Sequence, residues 1–245
     1  MLADILTILW KELREIFLQR GSMRGGIITL LIMIFVIGIF LPLQSGREWV
    51  ESPIGLVAWS WLPLFLVMGT IADTIAGERE RHTLETLLAS RLFDRSILIG
   101  KMGASILYGW SVAVIAVLAG AVTVNISAHA GRILFYPLDM FAAVAVLSLL
   151  ASALMASIGI LVSLQAGTVR QAYQRMSIGF MALWFIPLIG IQFMPESWKQ
   201  VISRSLVGID PMQVILTATV ILLAIDSALM AVGFYRFQRS RLELE

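Results

Sequence analysis

Six stretches of the chain stay apolar for about 20 residues each, the length a helix needs to cross the hydrocarbon core of a bilayer. They are Gly25–Leu43, Ile54–Ala72, Met102–Val124, Leu138–Leu164, Met176–Met194 and Val214–Phe234. Ionisable residues decide between buried soluble helices and membrane spans. The first, second, third and fifth stretches hold none; the fourth holds only Asp139 at its edge and the sixth only Asp226. In lipid a segment must satisfy its own backbone hydrogen bonds, so each is a predicted helix. The two-residue alternation of a membrane barrel is missing. The expected fold class is an all-α integral membrane protein with six transmembrane helices in one domain spanning residues 1–245.

Three further pieces show helical periodicity without the length to span. Residues 3–20 place Ile5, Leu6, Leu9, Leu13, Ile16 and Phe17 at helical spacing, with Lys11, Glu12, Arg14 and Glu15 elsewhere. That predicts an interfacial helix on the inner leaflet, acting as an anchor or in gating. Between Asp73 and Lys101 the chain turns polar, and residues 77–93 predict a short charged helix. Thr83 can cap it, Leu84, Leu87 and Leu88 form an apolar ridge, and Glu78, Arg79, Glu80, Arg81 and Glu85 flank the ridge. Such a ridge either dips into the headgroups or fills a groove on another protein. Residues 195–211 place Trp198, Val201, Ile202 and Leu206 at helical spacing, as an outer interfacial segment.

Composition agrees with the pattern. Charged residues make up 14% and apolar residues 59% of the chain, against about 25% charged in an average soluble domain. The charge distribution orients the spans. Lys and Arg number 14 in the N-terminal segment, the 73–101 loop, the 165–175 loop and the tail, against 4 in the opposite connections. The positive-inside rule then puts both termini and both of those loops in the cytoplasm. Trp49, Trp59, Trp61 and Trp198 fall at the outer boundary, where amphipathic rings prefer to sit. The ionisable residues at 11, 12, 14 and 15 occupy the place of a leader's apolar core, so no cleavable signal peptide is expected.

Little in the chain suggests chemistry of its own. Cysteine is absent, and His82 and His129 lie on opposite sides of the expected membrane, so a paired-histidine metal site is not expected. A phosphate-binding loop needs G-x-x-x-x-G-K-[ST]; the single Gly-Lys pair, Gly100–Lys101, is followed by Met102, with Arg95 at the first glycine position. Asp226 is the one acid deep in a span, either a pathway contact or an acid facing another helix. Ser148, Ser152 and Ala156 recur every four residues, a small-residue stripe suited to close helix packing. Pro63 and Pro187 predict kinks.

Taken in order, WKELREI (Trp10–Ile16), AGERERHTLETLLASRLFDRSILIGK (Ala76–Lys101), TVRQAYQ (Thr168–Gln174) and MPESWKQ with GIDPM (Met194–Met212) resemble the elbow helix, first cytoplasmic loop, second cytoplasmic loop and outer segment of ABC-2 transporter permeases. The resemblance covers essentially the whole chain. The family usually has Gly before Thr-Leu-Glu, where this chain has His82, and commonly Pro at the position of Arg91.

The resemblance implies the ABC-2, type V exporter-like permease fold and a division of labour. This chain would bind no cofactor, and ATP and Mg would be held by a separate cytosolic ABC ATPase. A second permease copy, identical or paired, would complete the pathway in the plasma (inner) membrane of a prokaryote, with no nucleic acid involved. Residues 77–93 would be the coupling helix that docks on the ATPase through Glu78, Arg79, Glu80, Arg81, Thr83, Leu84, Glu85, Leu87 and Leu88, with Arg170 and Gln171 in the second loop. An ion-coupled carrier working without ATP is the alternative, and an intramembrane enzyme a third class.

Overall fold

A computed structural model describes residues 1–18, 30–51, 62–128, 133–200 and 211–237. Among these the chain is helical almost throughout and contains no strand. Helix α1 (Leu2–Leu18) leads, followed by α2 (Leu30–Ser45), which contains a π-helical turn at Val36–Phe40. A short α3 (Glu48–Glu51) follows. Then come α4 (Leu62–Glu80), α5 (Leu84–Leu88), α6 (Asp94–Ala128), α7 (Leu138–Gln165), α8 (Val169–Phe193) and α9 (Pro211–Arg236).

Four of these helices, α6 to α9, are long and apolar enough to cross a membrane. Helix α2 overlaps the first expected span over 30–43 and α4 the second over 62–72, α4 running on to Glu80; the starts of those two stretches, 25–29 and 54–61, lie outside the described residues. So do Trp59, Trp61, Val201, Ile202 and Leu206. The protein is a multi-pass, all-helical membrane protein. Pro187 sits inside α8 without ending it.

Helix α7 is the hub of the bundle: it packs against α4, α6, α8 and α9. Its small residues make this possible. Ser148, Ser152 and Ala156 are all buried, as the stripe predicts. At Gly159 a Cβ would lie 2.1 Å from Ile71 Cγ2, so only glycine lets α4 and α7 approach this closely. Ser163 adds a polar stitch, accepting from Ala76 N at 2.9 Å and donating to Ala72 O at 3.2 Å. The most apolar stretches of α8 and α9, by contrast, bury little of themselves within the chain.

The far end of the bundle, away from the 73–101 loop, closes on itself. Residues 133–137 run extended, held by the Asn125 amide, which donates to Leu134 O at 2.6 Å and accepts from Leu134 N at 2.7 Å. The Tyr136 hydroxyl donates to Val117 O at 3.1 Å. Trp49 is buried in the same apolar cluster, beside Gly120 and Tyr136. Its indole therefore packs within the protein, whereas Trp198 is exposed.

Candidate functional site

The polar 73–101 segment folds around the end of α4. The helix continues to Glu80 and then stops in a Schellman turn: Thr83 N donates to Glu78 O at 2.9 Å and His82 N to Arg79 O at 3.1 Å. The residue after such a cap adopts left-handed backbone, and His82 has φ +57°. This is the position where the ABC-2 pattern carries Gly, and the backbone geometry gives the reason. The 77–93 helix expected from sequence is therefore two pieces: the last turn of α4, and the five-residue α5 set at a new angle.

Several side chains sit differently from the sequence reading. Thr83 precedes α5 but makes no capping bond; its hydroxyl turns back to the Glu78 carboxylate. Leu84 and Leu87 are half-buried and pack on the protein's own inner core, so their ridge is only partly available to a partner. The Leu88 side chain lies outside the described set. Among the described side chains of the segment the most exposed large apolar one is Phe93, 64% exposed, which the leucine spacing does not mark. Glu85 and Arg91 are exposed beside it.

Of the residues expected as contacts for a partner, Glu78 and Arg79 are tied inward, while Glu80 stays exposed and bonds within the protein. Glu78 is buried and accepts from Lys101 Nζ at 3.1 Å. Arg79 donates to Ala166 O at 2.9 Å and Leu164 O at 3.1 Å, satisfying carbonyls left open where α7 ends. Glu80 accepts from Val169 N at 3.1 Å, at the positive end of α8. Thr168 caps that helix from the other side, accepting from Gln171 N at 3.2 Å, while Gln171 accepts from Gly167 N at 2.9 Å. Gln171 is thus a capping residue, and Arg170 beside it is exposed. The two polar loops, read separately in the sequence, are joined into one body.

Beneath this body lies a buried charge cluster. Lys101 is 2% exposed, and its ammonium lies 2.7 Å from Glu12 Oε1 and 3.1 Å from Glu78 Oε1. Helix α1 reaches it because Gly100 has no side chain: a Cβ there would lie 2.7 Å from Ile8. Glu12 is therefore not on the solvent face of α1. It faces α6 in line with Ile8, while Leu2, Leu6 and Trp10 form a separate exposed apolar stripe. The signal was in the sequence, since Ile8, Glu12 and Ile16 recur every four residues. Lys11 stands at the rim, 3.5 Å from Glu15, 3.6 Å from Glu78 and 3.8 Å from Glu12. Burial alone would push the Glu78 carboxyl up, but Lys101, the Thr83 hydroxyl and Lys11 hold it below the ordinary carboxylate range. Burial opposes the Lys11 charge, yet its three carboxylate neighbours raise its pKa.

Arg81 closes a second bridge, with Nη2 at 2.6 and 2.7 Å from the two Asp73 oxygens. The pair spans two helical turns over Gly77. Asp226 is not part of this assembly. It is buried on α9, the helix that packs on α7, and neither carboxylate oxygen bonds a described residue.

A cavity of about 910 Å³ opens among these groups, lined by α1, α4, α5, Ser105 of α6 and Val169 of α8. The family model of ABC-2 family transporter proteins matches residues 61–242, which contain α4 through α9 and both joined loops. None of the individually curated proteins matches the chain. A match over that share of the chain, on an all-helical bundle with four apolar spans, settles the family: this chain belongs to the ABC-2 family of transporter proteins, as a permease subunit of an ABC transporter.

Proposed function

We propose that the chain is the membrane half of an exporter, moving a substrate outward across the plasma membrane with energy from ATP hydrolysed by a separate cytosolic ABC ATPase. The observation that carries this reading is the joined body at the charged end. A push delivered at α5 passes through Leu84 and Leu87 to the inner core, through Glu78 and Lys101 to α6 and α1, and through Arg79 and Glu80 to α7 and α8. Such an arrangement serves a docking partner, because α1, α6, α7 and α8 are all tied to the body it would push. The docking face is the outward side of this body: Glu85, Arg91, Phe93 and Arg170, with the outer edges of Leu84 and Leu87. In this reading both termini and the joined loops are cytoplasmic, ATP and Mg stay on the companion, and a second permease copy covers the exposed apolar faces of α8 and α9.

Capture of a soluble nucleotide-hydrolysing chain with the tagged permease tests the reading. The companion should be retained by the wild type and lost with Phe93→Asp, while both permeases keep the same thermal stability. Retention by the variant would remove Phe93 from the docking face. If no such companion is captured and cargo moves without ATP, the protein is instead a carrier driven by an ion gradient.

A further inference from the structure

The cavity beside the charge cluster shares Glu78 and Leu87 with the coupling just described, but nothing in that coupling calls for its open volume. At about 910 Å³ it falls in the range of pockets that take drug-sized ligands. Its rim is ionic, with Lys11, Glu15, Asp73 and Arg81, and its depth is lined by Gly69, Thr70, Thr74 and Ser105. Ser105 is 1% exposed and lines this space, so the cavity reaches a buried hydroxyl group.

The charge balance fixes the sign of a ligand. Four carboxylates (Glu12, Glu15, Asp73 and Glu78) gather here against three cations (Lys11, Arg81 and the buried Lys101). Lys101 and Arg81 hold their partners at 2.6 to 3.1 Å. Lys11 does not: its ammonium stands 3.5 to 3.8 Å from three carboxylates, beyond ordinary hydrogen-bond length, on a half-exposed side chain. It occupies a position suited to a positive group, on a flexible stem long enough to swing out to water.

We propose that this cavity is a binding site for a drug-sized organic cation, whose charge takes the place of the Lys11 ammonium among Glu12, Glu15 and Glu78 while its body lies along Gly69, Thr70 and Ser105. That such a cation is the cargo rests on the permease reading; the site itself does not.

Ethidium binding to the purified permease in phosphatidylcholine nanodiscs tests this, with 8-anilinonaphthalene-1-sulfonate as an anion of similar size. Lys11→Gln removes the competing charge and should tighten ethidium binding roughly five- to tenfold; Glu15→Gln should weaken it by a similar factor. Gly69→Leu should weaken it by putting a side chain where the body of the cation lies, since a Cβ at Gly69 meets nothing within 4 Å. Ethidium binding that ignores all three variants, or anion binding as tight as cation binding, overturns the proposal. Loss of ethidium binding with ATPase capture intact counts against the transport reading in no way, and the reverse result leaves the site standing while removing the exporter.

Discussion

Replacing Lys101 with Met would leave the Glu12 and Glu78 carboxylates facing each other in a buried site, with the half-exposed Lys11 and, further off, Arg81 as the nearby cations. Removing one partner of a buried ion pair costs about 3–5 kcal/mol. Two routes of relief bound the effect. Lys11 screens part of the repulsion from 3.6 to 3.8 Å. One carboxyl can also take up a proton, which for an ordinary pKa of about 4.3 costs ~3.7 kcal/mol at pH 7 and only ~1 kcal/mol at pH 5. The expected penalty is therefore about 3 kcal/mol at pH 7, shrinking to ~1 kcal/mol at pH 5. Unfolding in mixed micelles by dodecyl sulfate, followed by tryptophan fluorescence at both pH values, measures it. Adding Glu12→Gln to Lys101→Met should recover more than half of the loss at pH 7. A penalty under about 1 kcal/mol at pH 7, or one equal at the two pH values, refutes the account of Lys101 as the counter-ion of two ionised acids.

His82→Gly should stabilise the protein by about 1 kcal/mol, because glycine adopts the left-handed backbone at this cap without strain; an unchanged or lower unfolding temperature would contradict that. Gly159→Ala should cost about 1–3 kcal/mol, since its Cβ would fall 2.1 Å from Ile71, and Ile71→Val in the same chain should return part of the loss. Glu78 has a folded pKa below its unfolded one, so its contribution is complete above the unfolded value and disappears as pH falls through the folded value. Unfolding midpoints should accordingly drop on the acid side, and Glu78→Gln should flatten that limb; an unaltered acid limb would speak against the pairing.

Much of the fold was legible because lipid imposes simple rules. Apolar length gave the existence of the helices at 102–124, 138–164, 176–194 and 214–234, although α6 starts at Asp94 and α8 at Val169, ahead of their apolar stretches, and the small-residue stripe on α7 is buried. The site was harder to read, because charge in a sequence does not say which way it points. Glu78, Arg79 and Glu80 look like a solvated run, yet each is consumed by a helix end or a buried ammonium. Lys101 sits just ahead of an apolar run and passes for a membrane-edge cation until Glu12 is placed opposite it. Glu12 was detectable from its spacing with Ile8 and Ile16; the Lys101 contact, 89 positions away, was not. The burial of Trp49 comes from its packing on Gly120 and Tyr136, distant neighbours that an average preference of tryptophan for interfaces does not reveal.

The π-helical turn of α2 has a consequence for whatever follows it. Such a turn holds one residue more than an α-turn, which offsets the chain beyond it by about 100° around the axis. Gly38 sits in this turn against α6, and the Thr123 hydroxyl donates to its carbonyl at 2.6 Å, pinning the extra residue in place. The turn therefore acts as a phase shifter: it decides that Pro42, and through it Trp49, arrive on the side where α6 waits. Deleting one residue between 36 and 40 would restore a regular helix and swing both of them toward lipid.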